Sequence, residues 1–161
     1  MKDIFRKNTF NRLGLSSVYL VRHAMTVIDP TVPSHEWVLS AEGRVAAAAL
    51  DLPPLPVLTS SEQKAVDTAR LAGWDATPDD RLREVTRPFH GGGTYEERVR
   101  RYLAGEQLDG WERRAHALER LHAVLDGFDG IAVTHGLAIA LYAELDFDAW
   151  QSMPFPAVLT R

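Results

Sequence analysis

Four apolar residues in a row, Val18, Tyr19, Leu20 and Val21, stop abruptly at Arg22 and His23. A run this short and this β-prone reads as a buried strand near the middle of a sheet. The same pattern returns late in the chain, where Ile131, Ala132, Val133 and Thr134 run straight into His135 and Gly136. Between the two runs the spacing changes to helical. Ser40 is an N-cap candidate for an alanine-rich helix over 44–50, with Gly43 tolerated in its first turn and Pro53, Pro54 and Pro56 ending it. Residues 57–59 predict a short strand. Ser60 or Ser61 then caps a helix to about residue 72, closed by Gly73. Residues 75–80 read as a turn, 82–85 as a brief extended segment, and 88–93 as a loop with three successive glycines. Thr94 and Glu97 form a capping-box pattern for a helix over 95–103, ended by Gly105. Trp111, Ala115, Leu118, Leu121, Val124 and Leu125 share one face of a helix over 111–125. A further helix is expected over 137–145, and an edge strand over 157–160 after Pro154 and Pro156.

Strand and helix in alternation predict an α/β fold: a three-layer sandwich with a largely parallel sheet and helices on both faces. Composition adds limits to this picture. The chain has 161 residues, 45% of them apolar, enough for one domain with its own core. That domain is expected to span 17–161. The preceding segment, 1–16, mixes Lys2, Arg6, Lys7 and Arg12 with Phe5 and Phe10 and reads as a polar arm without the apolar centre of a signal peptide. No apolar run approaches the roughly 18 residues of a membrane span. A net charge of −4 argues against a nucleic-acid surface. With no cysteine in the chain, disulfide and thiolate chemistry are excluded, and a cytoplasmic setting is the expectation.

The candidate chemistry lies where the two apolar runs end. If those strands are neighbours, His23 and His135 meet at the carboxyl edge of the sheet, where open α/β folds place their sites. Arg22, the 60–68 segment and Glu84 are the candidates to share that edge with them. Such a set suits phosphoryl transfer. A neutral imidazole attacks phosphorus to give a phosphohistidine, which water then hydrolyses. Cations and hydrogen-bond donors hold the migrating group, and a carboxylic acid protonates the leaving oxygen. Arg22 beside His23 disfavours the imidazolium and so keeps a nucleophilic nitrogen available.

These residues resemble the histidine phosphatase superfamily, which includes the cofactor-dependent phosphoglycerate mutases. Leu20-Val21-Arg22-His23-Ala24-Met25-Thr26 is similar to the family's Arg-His-Gly signature, with Ala24 in the glycine's place. Leu39-Ser40-Ala41-Glu42-Gly43-Arg44 resembles the opening of its first helix, and residues 59–69 resemble its Ser-x-x-x-Arg-Ala-x-x-Thr-Ala helix. Leu82-Arg83-Glu84 looks like the segment carrying the acid, and Val133-Thr134-His135-Gly136 like the late His-Gly signature. The resemblance covers residues 18–145. It implies His23 as the phosphorylated nucleophile, Arg22 and His135 as ligands of the phosphoryl oxygens, and Glu84 as proton donor and later base. No cofactor is expected, and a small phosphorylated substrate is the expected partner; His23 and His135 with Glu84 imitate a metal triad, but Arg22 beside them would repel a dication, so no metal is expected. Lys64 stands where the family has a second phosphate-binding arginine. Lysine keeps the charge but loses the two-pronged fork.

Bland readings stand beside these. Lys64 is alternatively an exposed helix lysine. Glu84 is alternatively a surface ion pair with Arg81, Arg83 or Arg87, in which case the acid passes to Glu36 or Glu96. Thr26 either donates to phosphate or caps a turn. His90 fits a solvated loop, and His35, His116 and His122 fit the surface. The triple glycine lacks the Gly-Lys-Ser/Thr of a nucleotide P-loop. The short stretch after Glu84 favours a phosphatase over a mutase. The alternatives are a phosphohistidine-protein phosphatase and a non-catalytic phosphate-binding module of the same fold.

Overall fold

The computed structural model describes residues 17–88 and 93–161, so the arm at 1–16 and the loop histidine His90 lie outside the described residues. Among the described residues five strands occur in chain order: β1 (Val18–Arg22), β2 (Val57–Thr59), β3 (Ala76–Pro78), β4 (Gly130–Thr134) and β5 (Ala157–Thr160). They form one sheet in the order β3-β2-β4-β1-β5. The β1–β4, β4–β2 and β2–β3 pairs are parallel, and β5 runs antiparallel to β1 at the edge. The unbroken apolar runs occupy the middle of this sheet, and β4 is buried at every position. A central parallel strand has no wet face to which a polar residue can turn.

The α-helices among the described residues are α1 (Ala41–Ala48), α2 (Gln63–Leu71), α3 (Gly93–Leu103), α4 (Arg114–Leu125), α5 (Gly136–Tyr142) and α6 (Phe147–Gln151), and they cover the sheet. Neighbouring residues of β1 face opposite layers. Leu20 joins the large cluster with Tyr102 of α3, Leu121 and Leu125 of α4, Ile139 of α5 and Trp150 of α6. Val21 joins the smaller cluster with Ala65 and Ala69 of α2. The expected three-layer sandwich is therefore present.

Several boundaries differ from the sequence expectation. Residues 76–78 are an edge strand rather than part of a turn; Pro78 is tolerated because an edge strand need not donate on both sides. Leu82 closes a one-turn 3-10 helix instead of opening an extended segment. Thr94 sits inside α3, so it does not cap that helix. Trp111 precedes α4, and the expected 137–145 helix is shorter, with α6 following it as a separate element. Ser40 does cap α1, accepting from the Gly43 N–H at 3.0 Å. The strand expected over 157–160 is β5.

Candidate active site

Parallel pairing of β1 with β4 places Arg22 opposite Thr134. The next residue on each strand is a histidine. The His23 N–H donates to the Thr134 carbonyl at 3.0 Å, extending the ladder by one bond. The two imidazole rings then lie with centroids 5.3 Å apart. The chain beyond His23 is pinned from α2: the Ala24 N–H donates to Thr68 Oγ1 at 2.9 Å, and that hydroxyl donates to the Lys64 carbonyl at 2.7 Å.

His23 is buried, and its Nδ1 is 2.8 Å from the Ala24 carbonyl oxygen. A carbonyl only accepts, so Nδ1 carries the proton and Nε2 holds the lone pair. Burial, followed by the neighbouring His135 and the Lys64 ammonium, holds the His23 pKa well below the ordinary histidine range. The ring is thus neutral and nucleophilic at Nε2 around neutral pH.

Arg22 is packed from several sides. Its Nη1 donates to the Met153 carbonyl at 2.6 Å, and its guanidinium lies 3.4 Å from the centre of the Phe155 ring. Gly136 is the other wall: a Cβ there would stand 2.9–3.1 Å from three guanidinium atoms. Burial lowers the Arg22 pKa to about 10, with Glu84 and then Tyr95 opposing the shift. The guanidinium remains charged at neutral pH. Its Nε is buried without a hydrogen-bond partner among the described residues, as is Nδ1 of His135. Each is a buried polar atom that the described residues leave unsatisfied.

His135 is fully buried, and its Nε2 lies 2.8 Å from Ser60 Oγ. Burial is the chief cause that brings its pKa down to about 3. Ser60, read from sequence as a helix cap, turns its hydroxyl to this ring. It also accepts from the Glu62 N–H at 3.3 Å.

Lys64 is not a surface lysine. Its side chain is 7% exposed and its ammonium sits 3.2 Å from Glu62 Oε2. It also donates to the Ser34 carbonyl at 2.8 Å. Glu62, which no sequence argument singled out, also approaches His135 Nε2 at 3.6 Å. A carboxylate two residues before Lys64 is the signal that was available for it.

Glu84 is not an ion pair with Arg81, Arg83 or Arg87. Arg81 pairs with Asp79, and Arg83 with Asp80 and Glu112. The Glu84 carboxylate instead sits at the start of α5. Its Oε2 accepts from Leu137 N–H at 3.0 Å, and its Oε1 accepts from Ala138 N–H at 2.9 Å and Val85 N–H at 2.8 Å. Thr26 forms a backbone bridge with Leu39 and makes no hydrogen bond to the cluster among the described residues. The fallback carboxylates lie elsewhere: Glu36 is beside His35, and Glu96 accepts from Gln151 at 3.2 Å. His35, His116 and His122 are exposed. Among the described residues, no group of three or more acidic or histidine side chains is placed to hold a metal ion, and no helix is long and apolar enough to cross a membrane.

No family model and no curated protein matches the chain by sequence. Solved structures do. A structure titled phosphoglycerate mutase from Thermus thermophilus is 29% identical, over 78% of this chain and 81% of that one, with a TM-score of 0.62. A methionine variant of the Thermus thermophilus protein TTHB049 is 30% identical over 76% and 80%, with a TM-score of 0.63. Phosphoglycerate mutase from Bacillus anthracis str. Sterne shares the fold at a TM-score of 0.65, covering 90% and 86% at 17% identity. Identity of this extent over most of both chains, on a sheet that delivers two histidines to one edge, makes the chain a member of the histidine phosphatase superfamily, phosphoglycerate mutase-like in fold.

Proposed function

We propose that this protein is a phosphomonoester hydrolase that transfers the phosphoryl group to His23 Nε2 and then to water. The observation that carries this reading is the 2.8 Å contact of His23 Nδ1 with the Ala24 carbonyl, which leaves the Nε2 lone pair for attack. In the first step Nε2 bonds to phosphorus, the phosphorus–oxygen ester bond breaks, and the leaving oxygen takes a proton. In the second, water attacks phosphorus, the P–N bond breaks, and His23 returns neutral. Arg22 and His135 bind the equatorial oxygens, over which the charge of the transferring group is spread in the transition state. Glu84 supplies the proton in the first step and removes one from water in the second. Its Oε2 accepts one backbone N–H and so keeps a second lone pair for this task. Among the described residues, α3 and α4 are the helices between Glu84 and β4, a short stretch that favours hydrolysis over the mutase reaction named for the Thermus and Bacillus structures.

The test is metal-free hydrolysis of p-nitrophenyl phosphate by the purified protein and by His23→Ala. Native turnover with acid-labile protein phosphate, both absent from the variant, is the expected result. A second reading, a non-catalytic phosphate-binding module, draws on Lys64, whose charge is already matched by Glu62 and the Ser34 carbonyl. Vanadate binding without His23-dependent turnover would favour it. Glu84→Gln divides the two steps. An alkyl phosphate has a basic leaving group and needs the acid, whereas nitrophenolate leaves without help. The variant is expected to lose alkyl substrates far more than aryl ones. With the aryl substrate it should release a burst of about one nitrophenol per site as dephosphorylation becomes limiting. Equal loss on both, without a burst, would remove Glu84 from the mechanism.

A further inference from the structure

Glu62 is held from three directions. Its Oε1 accepts from the Glu84 N–H at 3.0 Å, its Oε2 faces Lys64 Nζ at 3.2 Å, and Oε1 also stands 3.6 Å from His135 Nε2. Its side chain is 14% exposed, so little water competes for these contacts. A carboxylate beside Nε2 repels a lone pair there and favours an N–H, which then donates to Ser60 Oγ at 2.8 Å. In that tautomer the buried, partnerless Nδ1 carries the lone pair. A lone pair cannot bind an anion, whereas a proton on Nδ1 gives a ring that donates at both nitrogens.

We propose that Glu62 is the counter-ion of His135: when a tetrahedral dianion binds beside His23, His135 takes up one proton at Nδ1, and Glu62 holds the imidazolium from the Nε2 side. The proton comes from solvent and no other bond changes. Glu84, from the loop before α3, favours the cation together with Glu62. Burial opposes it first, then Lys64 on α2, Arg87 on that loop and Arg120 on α4, with the His23 ring facing it from the end of β1. The bound dianion and Glu62 have to outweigh burial and those cations together, which is why the ring charges only on binding. Glu62 is thus a positioning residue acting through His135. The proposal rests on the anion-binding part of the functional reading and not on turnover.

Sulfate is the probe, because it does not titrate near neutral pH and any proton taken up belongs to the protein. Calorimetric titration of the full chain in two buffers of different ionisation enthalpy counts that proton. Native protein should take up about one proton per sulfate, and its affinity should fall about tenfold per pH unit as pH rises. Glu62→Gln should take up less than about half a proton, with a correspondingly shallower pH dependence. Glu62→Asp, which keeps the charge, should lie between the two and guards against a misfolded variant. His23→Asn should retain the uptake. Full uptake in Glu62→Gln, or none in His23→Asn, would overturn the proposal. Sulfate binding to native protein without proton uptake would overturn it alone, leaving the anion site intact. Absence of sulfate binding to native protein would overturn the site reading and the proposal together.

Discussion

Lys64 and Gly136 each bear on a cation of the candidate site, one by its own partners and the other by leaving room for Arg22. Lys64 holds Glu62 at 3.2 Å and the Ser34 carbonyl at 2.8 Å, so its ammonium is shared between the site and the loop before α1. Lys64→Ala removes a charge-assisted bond worth about 1.5–3 kcal/mol, and kcat/KM for p-nitrophenyl phosphate should fall by about tenfold to a hundredfold. Lys64→Arg should match or exceed the native rate, because one arm of the fork can stay on Glu62 while the other reaches a phosphoryl oxygen. Equal rates for native protein and Lys64→Ala would restrict Lys64 to a structural role. At Gly136 the added methyl of alanine meets the Arg22 guanidinium, which also packs on the Phe155 ring and donates to the Met153 carbonyl. The guanidinium yields only by giving up those contacts. Gly136→Ala should therefore weaken sulfate or vanadate binding, and equilibrium dialysis against either anion reads the loss directly.

The segment that carries Glu84 is clamped by the helix packed against it. Arg120, buried on α4, donates from Nη1 to the carbonyls of Arg81 at 2.7 Å and Arg83 at 2.8 Å, and from Nη2 to that of Glu84 at 3.2 Å. Its Nε and Nη2 also bind Glu112 at 2.8 and 2.9 Å. Removing one partner of such a buried pair strands the other, at a cost of about 3–5 kcal/mol. Arg120→Met should lower the unfolding free energy read from urea denaturation by that amount, and adding Glu112→Leu should recover part of the loss. If the double variant is no better than the single, the three carbonyl contacts dominate and the ion pair contributes little. None of this clamp was legible in the sequence, because Arg120 and Glu112 sit among other charged residues of no distinctive spacing. The strands were legible where burial forces a continuous apolar run, as in β1 and β4. β3 was not, because Ala76-Thr77-Pro78 lies at an edge and has no such demand. The meeting of His23 with His135 followed from two strands ending alike. The turn of Ser60 and Glu62 toward His135 did not, since a hydroxyl and a carboxylate before a helix read equally well as capping residues.

At the scale of the whole molecule, two buried neutral histidines carry a consequence for stability that needs no substrate. In the unfolded chain both titrate near 6.5. In the folded protein burial brings His135 down to about 3, and burial with the neighbouring His135 and Lys64 holds His23 well below the ordinary value. Below about pH 6.5 the unfolded state therefore binds more protons than the folded state, and stability falls as pH falls. Each histidine contributes a slope of about 1.4 kcal/mol per pH unit while its folded form stays neutral. For His135 that window runs down to about 3, where the folded protein also takes the proton. Glu112 adds to the loss at lower pH: the carboxylate is held below its usual range despite burial, chiefly by the hydrogen bond from Arg120. Urea unfolding followed by tryptophan fluorescence at intervals from about pH 7.5 to 5 should give a stability that declines with a limiting slope of about 2.7 kcal/mol per pH unit. His135→Gln should roughly halve that slope, because one of its two sources is gone. A flat profile in the native protein would mean that both rings are protonated equally well folded and unfolded. The buried, neutral nucleophile at His23 would then be lost as the basis of the proposed chemistry.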